Sequence, residues 1–565
     1  MGSELGVHAD SKPGIMINSV TIWWACWTCI WTAVVALGIA YLIAHRTSPT
    51  LRIRGLGLSL SAIVFLHIYW ASVQLGLMYG PLFPGDCEYW LMGTWLPCGL
   101  AIFHASNSRF LHVAKQQKKY AWSSPRLLAS PPDQEQKTGL IGRFRRLSYT
   151  SKILIVVGVS VLFQLFLTVL MWVISRKWHS SWGIPGTEVH GTPMEQKMEM
   201  GRGWEWWPGV LMQVVWSWII APIVLWRSRN IRDTQGWRVQ TIGCAISSLH
   251  ATPMWLIATY VPAMEPLTRY WLPPQWICLS IVFIEIFTIF VPCWEVMRHQ
   301  ALRQETLDSI AQWELKTKGA GGSESKSLAS GSTMVESLIS GFKSLKGSVK
   351  TTGSNEGILT LGALETVLER NPAPLQEFSA LSDFSGENIA FLTSVAEWKN
   401  SLPKAVWDNT AAKDSNVKEL IRERFNRALH IYAEFISPSH AEFPINISSQ
   451  DLRKLEVIFD RPALLLYGEA KHDVNPISPF DTPRGFPFEP PSPTSSENSE
   501  KAIHNIKDRV QYWGEVPEEF DASVFDDAEA SIKYLVLTNT WPKFIRSSRV
   551  SIDSSATIEV GKEIV

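Results

Sequence analysis

Four ionisable side chains, His67, His104, His250 and Glu285, lie inside long apolar runs of the chain. Taking such groups away from water is costly, so an ionisable residue at membrane depth marks a ligand or proton site by default. The competing reading is a hydrogen-bonded contact between helices, and it weighs most for the histidines. No Lys occurs in the run around Glu285, which excludes a retinal Schiff base there. Cys26-x-x-Cys29 has the spacing of a redox or metal pair, but it sits in an apolar helix with no His or second Cys pair beside it. All seven cysteines fall in or next to apolar runs, and the later half has none, as suits a reducing compartment. No phosphate-cradling glycine loop, zinc spacing or nucleophile constellation is present. The chain is therefore read as no catalyst of covalent chemistry, with no cofactor, no metal and no nucleic-acid partner.

The elements that carry these residues change solvent partway along the chain. Residues 1–300 hold 24 Lys and Arg against 14 Asp and Glu, and the remainder holds 28 against 38. A net charge of zero thus hides halves of +10 and −10. Of 27 tryptophans, 22 precede residue 300, many near the ends of apolar runs, where an indole suits the membrane–water boundary. A Trp-rich soluble core would rarely need so many. Spanning a hydrocarbon core takes roughly 20 apolar residues per helix. Seven runs qualify, at about 18–44, 56–79, 88–106, 153–174, 206–226, 239–262 and 274–296. The third is the poorest, opened by Glu88 and interrupted by Pro97.

Basic residues crowd segments 45–54, 107–152 and 227–238, while 80–87 has none and 263–273 has only Arg269. The positive-inside bias then puts the N-terminus outside and the C-terminus in the cytosol, with the plasma membrane as the expected location and an internal membrane as the alternative. The chain thus reads as an extracellular 1–17, a bundle over 18–300, a Gly/Ser/Lys-rich linker over 301–357, a soluble domain over 358–548 and a tail over 549–565. Within the linker, Leu338, Ile339, Phe342, Leu345 and Val349 share a helical face that suits either an anionic leaflet or a neighbouring domain. The usual marks of rhodopsin-type receptors are absent: the third run ends His104-Ala-Ser-Asn107-Ser-Arg109, and the seventh ends Val291-Pro-Cys-Trp-Glu295.

Helical periodicity returns after Gly357. Ser385 is a plausible N-cap, followed by Glu387 in the first turn and by Ile389, Phe391, Leu392, Val395 and Trp398 as inward residues. A long amphipathic helix is expected over about 416–436, a turn over Phe443–Ser448, a short helix over Ser449–Leu455, and a last helix from Phe525 to Ile545. A Pro/Ser-rich insertion over about 462–515 is too rich in proline to pack as helix. The overall class is all-α.

Five blocks occur in order: Leu375-x-x-Phe378 through Phe384-Ser-Gly-Glu387-Asn388-Ile389-x-Phe391; Ile431-Tyr432-x-x-Phe435-Ile436; Ile445-Asn446-Ile447; Phe525-Asp-x-Ala528; and Trp541-Pro-x-Phe544-Ile-x-Ser547. Together they resemble the RGS (regulator of G-protein signalling) family, and with the spans before them the chain looks like the hybrid seven-transmembrane RGS proteins of fungi and plants. The resemblance implies a nine-helix bundle that binds the switch regions of an activated Gα subunit and accelerates its GTP hydrolysis. It assigns Glu387, Asn388, Asn446, Leu535, Asn539 and Lys543 to the Gα-contact surface. Asn539 stands where many members have Asp, and Lys543 where many have Arg.

Two other readings remain open. The domain could bind Gα or another partner without accelerating hydrolysis, as a scaffold or receptor tail. A transporter with a regulatory tail is the third, although internal repeats and paired intramembrane charges are missing. Membrane lipids and a small-molecule ligand of the bundle complete the expected partners.

Overall fold

A computed structural model describes residues 14–121, 144, 147, 149–179, 181–319, 359–401, 415–468 and 511–548. Among them every named element is helical, and the one isolated β-bridge joins Ser175 to Ile184. Two compact units emerge, one from Met1–Val113 with Tyr149–Met297, the other from Ala114–Ser148, Arg298–Pro476 and Thr482–Val565. The second unit therefore takes in the start of a segment that the sequence presented only as a basic loop. The amphipathic face at 338–349 and most of the Pro/Ser-rich insertion lie outside the described residues.

Among the described residues, six helices are long and apolar enough to cross a membrane: Ser19–Ala44, Leu56–Gln74, Ser151–Ile174, Trp204–Ser228, Trp237–Tyr260 and Pro273–Asp308. The chain is a membrane protein. Its expected third span is helical from Gly85 through Gln117 but is not one of the six. The physical reason lies in its sequence, which mixes Glu88, His104, Asn107 and Arg109 into the apolar run. The first unit holds polar groups within an apolar core and is apolar outward. Gln74, Gln164, Thr168, Gln213 and Glu285 are buried, whereas Leu154, Val159, Leu162, Phe163 and Phe166 along one helix are exposed. In water such a contiguous apolar face would be a liability; in lipid it is the ordinary outer wall.

The three basic segments meet at one end of the first unit. Arg54 donates to Gln240 Oε1 at 2.7 Å and to the Gln235 carbonyl, and Arg109 Nε donates to the Ile53 carbonyl at 3.0 Å. Burial lowers the Arg54 pKa to about 10, against the pull of Asp233 and Glu295, so the guanidinium still carries its charge at neutral pH. Helix contact elsewhere depends on small residues. A Cβ on Gly38 would lie 2.5 Å from Ile289 Cγ2 and 3.3 Å from the Phe290 ring, so glycine sets the approach of the first helix to the last.

The second unit packs around Leu364, Leu375, Phe391, Val395, Phe425, Tyr432, Phe459, Phe525 and Trp541. Phe391 and Trp398 are core, as their positions on the helical face predict. Tyr120 and Ala121 belong to this same cluster. The expected amphipathic helix runs Ser415–Ile431 and continues as a π-helical turn, Tyr432–Ile436. The short helix expected at Ser449–Leu455 instead extends to Tyr467 with Pro462 inside it. Leu455, Ile458, Phe459 and Ala463 bury one face of that helix, and this burial outweighs the hydrogen bond that proline removes.

Gly38→Val is expected to lower the thermal unfolding midpoint of the full chain in detergent, at an overpacking cost of about 1–3 kcal/mol. Ile289→Ala in the same chain should restore part of it. An unchanged midpoint would mean that the two helices do not approach this closely.

Candidate functional site

In the first unit the predicted residue Glu285 has no exposed surface and sits where the helix Pro273–Glu285 widens into a π-helical turn, Ile286–Phe290. Such turns recur where a side chain must be re-aimed. Trp31 Nε1 donates to Glu285 Oε2 at 2.6 Å, and His67 Nδ1 lies 2.8 Å from Oε1. His67 Nε2 is 3.0 Å from Thr32 Oγ1, and its ring stacks on Trp70 with centroids 5.1 Å apart. The Thr32 hydroxyl can donate or accept to match the ring. The cluster thus leaves neither oxygen of the Glu285 carboxylate nor either nitrogen of the His67 ring unpaired. Trp31 and Thr32 were not singled out by the sequence, because nothing local marks a helix-borne Trp or Thr as the partner of a residue 254 or 35 positions away.

The other two histidines do not join it. His104 is buried and stacks on Trp216 at 5.2 Å, and neither of its ring nitrogens has a hydrogen-bond partner among the described residues. His250 sits at the break between the helices Trp237–Ser248 and Ala251–Tyr260. A separate cleft, lined by Tyr69, Tyr89, Gln164, Glu205, Trp206 and Gln213 among others, encloses about 520 Å³ of space partly open to solvent. None of the four predicted residues lines it.

In the second unit the geometry centres on Asp383, whose carboxylate is fully buried. Its Oδ1 accepts from Lys543 Nζ at 2.8 Å, and its Oδ2 accepts from the hydroxyls of Ser385 and Thr540, each at 2.9 Å. A buried anion is tolerated when charge and hydrogen bonds both meet it. Between the anchors, Phe384 takes φ 52°, the one positive-φ residue other than glycine among the described residues. That is a costly conformation for an aromatic residue, held by the bonds on either side and by burial of its ring. The expected cap is corrected here: Ser385 begins the helix Gly386–Asn400 but makes no side-chain capping bond, because its hydroxyl points back to Asp383.

The six residues assigned from the resemblance are placed as follows. Glu387 is half-buried at the start of that helix, and Gln117 Nε2 donates to its Oε2 at 2.9 Å. Asn388 is buried, and its Oδ1 has no partner among the described residues. Asn446 is half-buried in the extended turn 443–448, which is pinned where Ile445 N donates to the Phe435 carbonyl at 2.8 Å. Leu535 packs partly buried against the core, and Asn539, in the π-helical turn Val536–Thr540, hydrogen-bonds His299. Lys543 has 10% of its side chain exposed and is engaged with Asp383. The Asp383 network thus ties Glu387 and Asn388 to the element bearing Asn539 and Lys543. Sequence reasoning missed Asp383 itself, though its position between two blocks of the pattern was the available signal.

No cluster of His, Cys, Asp or Glu suited to a metal ion occurs among the described residues. No protein-family model, curated protein or solved structure matches this chain.

One more titratable group sits behind the turn 443–448. Glu434, in Tyr432–Ile436, is 17% exposed at its side chain, and burial raises its carboxyl to about 7. His430 Nδ1 lies 3.4 Å away, and burial lowers its pKa.

Two expectations follow from these geometries. Glu285→Ala should destabilise the first unit by about 1–3 kcal/mol for each buried donor left without an acceptor. Glu285→Gln should cost less, since its carbonyl still accepts from Trp31; equal midpoints for Glu285→Ala and wild type in nanodiscs would refute the cluster. For Glu434 the folded-state pKa lies above the ordinary 4.5, so the folded state holds the proton more tightly. Its contribution is therefore favourable at low pH and is lost as pH rises from about 4.5 through about 7. His430 opposes this below its ordinary pKa, because the unfolded state binds its proton more readily. Glu434→Gln should accordingly stabilise the second unit at pH 8, by on the order of 2 kcal/mol, and have little effect at pH 4. Pulse proteolysis at the two pH values reads the difference, and a pH-independent effect would contradict the raised pKa.

Proposed function

We propose that the chain is a membrane-anchored regulator of heterotrimeric G-protein signalling. In this reading its soluble unit engages the switch regions of an activated Gα subunit and accelerates GTP hydrolysis. The observation that carries it is the Asp383 network, which joins two sequence-distant parts of the RGS-like pattern: Phe384-Ser-Gly-Glu387-Asn388 and the stretch holding Thr540 and Lys543. The turn bearing Asn446 is fixed by its own backbone bond to Phe435, inside another block of the same pattern.

Rigidity is the property this function needs. A Gα subunit already supplies the groups that stabilise the transferring phosphoryl and orient the attacking water, so a partner only has to hold them in the transition-state geometry. A side-chain amide such as Asn446, fixed beside that water, contributes by position and not by proton transfer. The bundle then serves as anchor, in the plasma membrane on this reading, and the meeting of the three basic segments at one end of the first unit favours a cytosolic side there. The Glu285 cluster and the cleft near Gln164 are the places where a sensed ligand would act.

A second reading has a specific observation behind it. Lys543 is engaged by Asp383 and Asn388 is buried, so two of the six expected contact residues are turned from the surface. That arrangement suits a scaffold that binds Gα without accelerating hydrolysis.

Single-turnover GTP hydrolysis by a Gα subunit, with and without the full chain in nanodiscs, separates the readings. Acceleration that falls about 10²-fold in Asn446→Ala, the usual loss for one positioned donor, is the expected result. Binding without acceleration would favour the scaffold, and no binding to any activated Gα would end the proposal.

A further inference from the structure

The second unit contains two segments that its RGS-like blocks do not account for. The helix Leu96–Gln117 contributes its residues up to Val113 to the first unit and its end to the second. Likewise the helix Val291–Gly319 passes from the first unit to the second at Arg298. The first segment contacts Gln376, Gly386, Glu387 and Glu442, and the second contacts Tyr534, Asn539 and Arg546.

Residues 114–121 close over the start of the helix Gly386–Asn400. Gln117 has no exposed surface; its Oε1 accepts from Gly386 N at 3.0 Å while its Nε2 donates to Glu387 Oε2 at 2.9 Å. Gln117 thereby satisfies the first N–H of this helix, which has no partner within the helix. Gln376 Nε2 donates to the Tyr120 and Gly386 carbonyls, and Tyr120 enters the core 6.3 Å from Phe435. A Cβ at Gly386 would lie 2.8 Å from Tyr120 Cβ, so glycine in Ser-Gly-Glu-Asn is what admits the segment. At the rim Lys119 Nζ meets Glu442 Oε2 at 2.9 Å, four residues before Asn446. From the other side His299 hydrogen-bonds Asn539, and Arg303 donates to Tyr534 Oη at 3.3 Å.

Glu387 and Asn539 are thus held by the chain itself, and the loop carrying Asn446 is gripped beside them. We infer that residues 114–121 and 298–306 are an intramolecular ligand of the Gα-docking face, so that the structure is an occluded state and Gα binds only after they leave. This rests on the reading of the second unit as a Gα regulator. Burial separates the roles of the contacts. The Lys119–Glu442 pair is 56% and 30% exposed and weak, whereas the Gln117 bonds are sheltered and anchor the segment. Because both segments are helical continuations from the membrane unit, a conformational preference of the bundle can set the fraction of open face and hence the apparent affinity for Gα.

Two forms of the full chain in nanodiscs test this against a Gα subunit loaded with GDP and aluminium fluoride, and by single-turnover GTP hydrolysis. Gln117→Ala with Lys119→Glu releases the segment, and at least a tenfold gain in affinity and rate over wild type is expected. Tyr120→Cys with Gly386→Cys locks it: the two Cβ positions lie 2.8 Å apart, within about 1 Å of disulfide spacing. The oxidised lock should lose binding and regain it on reduction, a comparison within one polypeptide that survives any folding defect of the release variant. Wild type as active as the released form, or a lock indifferent to reduction, would overturn the occlusion while leaving the Gα reading intact. No binding by wild type, released or reduced forms would overturn that reading, and the occlusion with it.

Discussion

Asp383 sets the geometry on which the soluble unit depends. Removing a carboxylate from water costs several kcal/mol unless charge and hydrogen bonds replace the lost hydration. Three donors do so here, drawn from two distant parts of the chain: Ser385 on one side, Thr540 and Lys543 on the other. The consequences spread outward. Phe384 is forced into the left-handed region, and Ser385 turns from the helix it would otherwise cap. The first N–H of that helix, which a Ser385 side-chain cap would not reach, is met by Gln117 of the segment 114–121. A single buried charge therefore decides the shape of the turn and the way the helix begins.

The membrane unit solves the same problem with other groups. Glu285 has no water either, and its partners are an indole N–H, an imidazole and, through the imidazole, a hydroxyl. None of these carries an obligatory positive charge, in contrast to Lys543. The Asp383 carboxylate is met instead by an ammonium as well as by two hydroxyls.

How much of this was legible in the sequence depends on the range of the interaction. Periodicity is local, and it located the apolar helices, the inward Phe391 and Trp398, and the amphipathic helix from Ser415. Glu285 and His67 were marked by the cost of burying them, but Trp31 and Thr32 became part of the site only through helix packing. The expected third span is helical but is not among the six candidate spans, because Glu88 and His104 dilute its apolar run, and its helix also ends in the second unit. Ser385 carried a local capping preference that a stronger distant acceptor overrode. Lys115, Lys118 and Lys119 gave residues 114–121 the look of a basic loop, while the informative residues there, Gln117 and Tyr120, have no distinctive composition.

The two departures from the RGS pattern make physical sense against the chain's own contacts. Asp383 offers Lys543 only Oδ1, because Oδ2 already accepts two hydroxyls. A compact ammonium meets that single oxygen, whereas the planar fork of an arginine would compete with Ser385 and Thr540 for the second one. Asn539 faces His299, whose ring can present a donor or an acceptor. An amide matches either form, while an aspartate could only accept and would add a second negative charge near Asp383. On the proposed reading, the residue types least suited to a charge-assisted grip on Gα are the ones that fit the chain's own contacts: Lys543 within the unit through Asp383, and Asn539 with the segment from Arg298 through His299.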